Sequence, residues 1–193
     1  RALQAGTLYR ACRRIRRAPP FWFRVTTTLY AIAIGSNRAG RAARSPAAMV
    51  TAAMAALDDG PLCLLDASPI IMTPPLGPSR RRYANCAALV ASTAMPDAVL
   101  AQLHRIEAEF GRRRQRRWGE RALDLDLILW SEGSFAQDGT IVPHLAFRAR
   151  DFVLRPLAHI APLWRDPITG LTVRQLMARQ RRAKPVDHTG TGD

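Results

Sequence analysis

The amino-acid sequence predicts an α+β domain: a central sheet, antiparallel or mixed, with helices packed on it. Apolar runs of strand length are interleaved with segments whose apolar residues recur every three or four positions. Clusters of Gly, Pro, Ser and Asn punctuate the two kinds of segment. The 193 residues, 48% hydrophobic and 23% charged, suit one globular core and leave little for a second.

Residues 29–34 form the first expected strand, closed by the turn chemistry of Gly35, Ser36 and Asn37. A basic loop, 38–45, follows. Residues 46–57, rich in Ala and Met, read as a helix with Ser45 as N-cap and Pro46 in its first position, ended by Asp58, Asp59, Gly60 and Pro61. Residues 62–65 and 69–72 look extended. Three prolines, Pro74, Pro75 and Pro78, make 73–78 a stiffened loop. Residues 83–92 are continuously apolar and read as a strand. In 96–110, Val99, Leu100, Leu103, Ile106 and Phe110 recur at helical spacing and Gly111 caps the end. Residues 112–121 are a loop with six Arg. Residues 123–130 alternate as a strand, 131–139 read as a polar turn region, and 146–150 as a short helical patch. Residues 152–160 read as partly helical with Pro156 near the start, and 172–182 as a terminal helix.

The net charge of +14 at pH 7 divides unevenly. Residues 1–24 hold seven Arg and no acid; the rest of the chain holds 22 basic and 15 acidic groups. Half of the excess therefore lies in a segment that opens on Arg1 and lacks the apolar core of a secretory signal. Residues 1–24 are read as an extension outside the fold, disordered or not native, 25–182 as the domain, and 183–193 as a frayed tail. No run of 18 apolar residues occurs, so no membrane span is expected. Cys12, Cys63 and Cys86 lie far apart, without CxxC or zinc spacing, and read as reduced thiols of a cytoplasmic protein.

Asp124 and Asp126 are the sharpest chemical feature. In a strand they share a face, about 7 Å apart, and repel unless a cation lies between them. Mg²⁺ takes one or two carboxylates and completes its shell with water and phosphate oxygens; a solvated acidic strand face is the plainer alternative. The loops nearby carry Arg80, Arg81, Arg82, Arg112, Arg113, Arg114, Arg116, Arg117 and Arg121. Guanidinium groups suit polyphosphate, although Arg80, Arg81, Arg82 and Arg116 read as solvated. Paired acids beside Arg-rich loops suit phosphoryl transfer. The single lysine, Lys184, rules out a Gly-rich loop with its phosphate-binding Lys, and no G-x-G-x-x-G occurs. Trp118 reads equally as a cover for a planar ligand or a loop anchor. His144 reads as a phosphate contact or a structural histidine. Asn85, which alternates with Tyr83 on one strand face, has an amide able to pair with a heterocycle edge. Phe152 offers a stacking face or core packing.

Taken together, these motifs resemble a known family. They are residues 31–37; Thr73 to Pro78 with Tyr83, Ala84 and Asn85; Arg105, Ile106 and Glu107 with Gly111 and Arg112; Arg117 to Asp126; Val142, Pro143 and His144; and Arg150 to Leu154 with Pro156 and Leu157. The chain resembles the 6-hydroxymethyl-7,8-dihydropterin pyrophosphokinase family of folate biosynthesis from about Tyr30 to about Trp164. The resemblance implies a ferredoxin-like sandwich. It also implies transfer of the pyrophosphoryl group of ATP to the pterin hydroxymethyl oxygen, with AMP released. It implies that Asp124 and Asp126 hold two Mg²⁺ ions and that Arg112 and Arg121 engage the transferred phosphates. Tyr83 and Phe152 would flank the pterin, Asn85 would read its edge, and Thr73, Pro74 and Leu76 would line its pocket. Trp118 would close over the substrates, while Glu107, Arg114, His144 and Arg150 would contact ATP. The expected partners are small molecules, with no nucleic acid and no membrane, and the expected state is a monomer. Departures occur at Leu145, Gln115 and residues 66–69. The competing class is a basic nucleic-acid-binding protein of ferredoxin-like fold. It needs an aromatic strand motif that this chain, with 7% aromatic residues, does not show.

Overall fold

The computed structural model describes residues 26–39, 43–74, 81–111 and 122–182. Its order is β1 (Thr28–Ser36), α1 (Pro46–Leu57), β2 (Cys63–Ala67), β3 (Ile71–Thr73), β4 (Tyr83–Ser92), α2 (Pro96–Glu109) and β5 (Asp124–Trp130). There follow β6 (Phe135–Gln137), β7 (Thr140–Val142), a 3-10 turn (Phe147–Ala149), α3 (Asp151–Ile160) and α4 (Val173–Arg182). The sheet runs β2-β4-β1-β5, with β3 also on β4. Every pairing is antiparallel, so the sheet is not mixed. A strand-helix-strand-strand-helix-strand order with β1 and β4 central is the ferredoxin-like arrangement.

Local chemistry explains the first helix. Ser45 Oγ accepts the Ala48 N–H at 3.2 Å, and Pro46 occupies the first position, where no amide proton is needed. Central β1 alternates between two cores. Tyr30, Ile32 and Ile34 pack with Val50, Ala53 and Leu57 of α1 and Val99, Leu103 and Ile106 of α2. Ala31 packs on the other face with Val153, Leu154 and Leu157 of α3 and Val173 and Leu176 of α4. Leu123, just before β5, and Leu125 and Leu127 along it join the first core. The β1–β5 register then shifts, Ile32 facing Leu127 but Ala31 facing Leu129. Ile128 is the extra residue of this bulge, so both it and Leu129 join the second core.

Three expectations are corrected. Residues 131–139 are not only a turn region: β6 and β7 form a hairpin across Asp138 and Gly139, both at positive φ. An Asp-Gly pair between strand-length segments is the signal for this turn, and it was present in the sequence. Pro156 lies inside α3, not near its start. The apolar contacts of Val153, Leu154 and Leu157 outweigh the amide hydrogen bond that Pro156 cannot make. Cys86 is a buried free thiol, but Cys63 is disulfide-bonded. Spacing along the chain says nothing about which cysteines meet in space.

Two buried carboxylates hold outer elements in place. Glu107 on α2 is 1% exposed, and its Oε1 accepts the Leu125 N–H of β5 at 2.8 Å. Because β5 ends the sheet, this bond satisfies a backbone donor on its otherwise open edge. Asp166 is fully buried and takes two hydrogen bonds from Arg148, Nε at 2.7 Å and Nη2 at 2.6 Å. It also accepts from the amides of Ile168 and Thr169 and from Thr169 Oγ1. Burial alone would raise its carboxyl pKa, but the Arg148 and Thr169 hydrogen bonds bring it below the ordinary 3.8.

Glu107→Ala is expected to cost about 2 kcal/mol in urea denaturation, because the Leu125 amide loses a buried acceptor. Glu107→Gln, which retains an acceptor oxygen, should cost less; equal costs would rule out the hydrogen-bond account. Asp166→Asn is expected to cost about 3 kcal/mol at pH 7. The folded-state pKa of Asp166 is depressed, so its stabilisation is full above the ordinary value and fades as pH falls through the folded one. The gap between Asp166→Asn and the parent should therefore narrow in acid. A gap unchanged between neutral and strongly acidic pH would contradict the ion-pair account.

Candidate active site

The antiparallel register lines up the candidate residues. Ile71 of β3, Asn85 of β4, Gly35 of β1 and Asp124 of β5 stand opposite one another in one row. The next row holds Ala87, Ala33 and Asp126. Paired residues share a face, so both carboxylates point to the side on which α3 and α4 pack. Each is half-buried.

The β3–β4 side of this face is polar and tightly fitted. Asn85 is 4% exposed, and its Nδ2 donates to Thr73 Oγ1 at 2.8 Å. A Cβ on Gly35 would come within 3.3 Å of Asn85 Oδ1. The Asn85 amide therefore lies across a glycine and is held by Thr73, an orientation that any side chain at 35 would disturb. Tyr83 pairs with Thr73 and is half-buried; Pro74 follows β3 and is exposed.

The other side is built by the start of α3. Arg150, its N-cap residue, places Nη1 3.3 Å from Asp126 Oδ2. The same guanidinium lies 5.8 Å from the centre of the Phe152 ring, within cation–π range. Phe152 is half-buried against the second core. His144 is tied to β5 by its amide, which donates to Ile128 O at 3.1 Å. Its Nδ1 accepts the Ala146 N–H at 3.2 Å, which leaves Nε2 to carry the proton of the neutral ring.

Among the described residues, then, Thr73, Tyr83, Asn85, Asp124, Asp126, Arg150 and Phe152 come together at one end of one sheet face. Glu107 stands apart, on α2 with its carboxylate turned to the β5 backbone. Arg81 and Arg82 are exposed, Arg82 donating to Met72 O. Leu76, Arg112, Arg114, Trp118 and Arg121 lie outside the described residues. So do Arg80, Arg113, Arg116 and Arg117. The end of β1 adds residues that the sequence marks as turn chemistry and as part of the motif series, without a role in the site. Ser36 Oγ donates to Ala122 O at 2.6 Å, fixing the approach to β5. Asn37 is 2% exposed, and its Oδ1 has no hydrogen-bond partner among the described residues. Their place after a strand adjacent to Asp124 was the available signal.

No group of three His, Cys, Asp or Glu gathers among the described residues. Two half-exposed carboxylates on one face, without a third ligand, fit Mg²⁺, which leaves coordination positions for water and phosphate. They do not fit a structural zinc site. The guanidinium against Asp126 shows that this face already attracts a cation.

Known proteins place the chain. The family described as 7,8-dihydro-6-hydroxymethylpterin-pyrophosphokinase (HPPK) matches residues 31–162. A 2-amino-4-hydroxy-6-hydroxymethyldihydropteridine pyrophosphokinase of Pseudomonas aeruginosa is 40% identical over 138 residues, 70% of this chain and 82% of that protein. One of Synechocystis sp. is 42% identical over 101 residues, so the chain spans about half that relative's length, 52%. The HPPK-DHPS protein of Plasmodium falciparum shares the fold. It has a TM-score of 0.62 at 10% identity, covering 80% of this chain and 41% of the Plasmodium chain. The extent of the match and the identity to the Pseudomonas enzyme agree: the chain belongs to the 7,8-dihydro-6-hydroxymethylpterin-pyrophosphokinase family.

Proposed function

We propose that the chain transfers the pyrophosphoryl group of ATP to the hydroxymethyl oxygen of 6-hydroxymethyl-7,8-dihydropterin, giving the pterin diphosphate and AMP in folate biosynthesis. Family membership supplies the reaction. The observation that carries it to this site is the common sheet face of Asp124 and Asp126 with Asn85 and Thr73.

The pterin lies between Tyr83 and Phe152. Its donor–acceptor edge meets Asn85, whose amide is pre-oriented by Thr73, so little ordering is needed on binding. Pro74 and Leu76 complete the wall. Asp124 and Asp126 would hold two Mg²⁺ ions, whose charge would neutralise the triphosphate and acidify the acceptor alcohol. Arg112 and Arg121 grip the transferred phosphates, and Arg114, His144 and Arg150 hold the rest of ATP. Glu107 belongs with the ATP contacts and also braces β5, so it sets the position of the acidic pair. Fixing both substrates on one rigid sheet brings the acceptor oxygen in line with the β-phosphorus. Trp118 closes over them and excludes water. The catalytic domain runs from 25 to 182 and acts as a cytoplasmic monomer on small molecules. A nucleic-acid-binding role is less favoured, because α3 and α4 cover the middle of this sheet face, where the central strands present Ala31, Ala33 and Ala87 and no row of aromatic rings. Among the described residues no helix is long and apolar enough to cross a membrane.

AMP should appear from ATP only when both the hydroxymethyl-dihydropterin and Mg²⁺ are supplied; pterin-independent AMP, or none, would refute the assignment. Asp126→Ala is expected to lower turnover at least about 100-fold with an unchanged unfolding midpoint. Asn85→Ala is expected to raise KM for the pterin roughly tenfold and to change kcat much less. A change confined to KM for ATP would move Asn85 out of the pterin pocket.

A further inference from the structure

Two Arg–Asp pairs start at the 3-10 turn, one from Arg148 within it and one from Arg150 just after it, and they differ in kind. Arg148 and Asp166 are joined by two short hydrogen bonds, with Asp166 fully buried. Arg150 and Asp126 share one contact at 3.3 Å, with side chains 37% and 29% exposed. The first is a structural staple. The second is long, single-pronged and open to water, which makes it easy to exchange. Yet Arg150 is not loose: its guanidinium is also held against the Phe152 ring, and its backbone sits at the fixed start of α3.

We propose that Arg150 is a built-in counter-cation for Asp126 that competes with the metal ion and yields the carboxylate when nucleotide phosphate draws it away. The inference rests on the reading of Asp126 as a metal ligand and of Arg150 as an ATP contact. Asp124 and Asp126 repel each other across about 7 Å of one strand. With neither metal nor nucleotide bound, the guanidinium relieves that repulsion. A metal arriving alone must displace Arg150 from Asp126. A metal arriving with a triphosphate meets no such competition, because the phosphates give Arg150 a better bidentate partner. Linkage then requires each ligand to strengthen the other. Without ATP the acidic pair stays occupied by the protein's own cation, and free Mg²⁺ binds poorly.

The test titrates the protein with Mn²⁺ alone, free Mn²⁺ being read by electron paramagnetic resonance. Arg150→Gln should bind Mn²⁺ about three- to fivefold more tightly than the parent, the range expected for a partly exposed pair. Arg150→Lys, which keeps the charge, should stay near the parent. Arg155→Gln, one turn further along α3 in an ion pair with Asp151, should leave Mn²⁺ affinity unchanged. The gain in Arg150→Gln should vanish when Asp126→Asn is added. Mn²⁺ affinity no higher in Arg150→Gln than in the parent would overturn the proposal. So would an equal gain in Arg155→Gln, which would mark a general field effect, or a gain that survives the loss of Asp126. Pterin-dependent AMP formation by the parent reports separately on the enzymatic reading, so the two can fail independently.

Discussion

β1 is hydrogen-bonded along both edges and buried on both faces, and the site depends on it. Its antiparallel pairing to β4 on one side and β5 on the other fixes which residues stand side by side. A shift of one residue in either pairing would turn a whole set of side chains to the opposite face. Both pairings are protected against that by two separate apolar cores, one under each face. The register that buries Ile32 and Ile34 therefore also delivers Asn85, Gly35 and Asp124 to a single row.

The polar end of that face is organised by charge as much as by packing. Two carboxylates on one strand cost free energy unless cations come close, and α3 begins where a guanidinium can reach one of them. The two arginine–aspartate pairs, from Arg148 inside the 3-10 turn and Arg150 just after it, show how exposure sorts similar chemistry into different roles. Burial and five accepted hydrogen bonds make Asp166 an anchor. Partial exposure and the long contact to Arg150 make the Asp126 pair easier to exchange. Residues 163–182, beyond the family match, contribute this anchor and α4. They hold the 3-10 turn and so the start of α3, from which Arg150 and Phe152 project.

Burial also explains why the acidic residues differ. Glu107 is inside the protein because a strand edge needs an acceptor there. Its position is structural in origin even if a nucleotide lies close by. Gly35 has the reverse logic: the absence of a side chain matters because the Asn85 amide lies over it. Both features set the position of groups that must act together.

What is local along the chain was legible in the sequence. Ser45 and Pro46 mark the start of α1, helical spacing marks α2, and period-two alternation puts Asp124 and Asp126 on one face, because each depends on neighbours within a turn or two of backbone. The Asp138–Gly139 hairpin is equally local, an Asp-Gly pair between two strand-length segments. The α+β class was readable too, and the motif series named the family. Tertiary structure alone decided the rest. That Asn85 lies across Gly35 from Asp124, that Arg150 meets Asp126 and that Glu107 turns to Leu125 all follow from strand order and layer packing. So does the helical path through Pro156, which burial enforces against local preference. These contacts join residues 18 or more positions apart in sequence, or on different strands. Periodicity carries no information about such distances; only the burial of two apolar faces at once selects them.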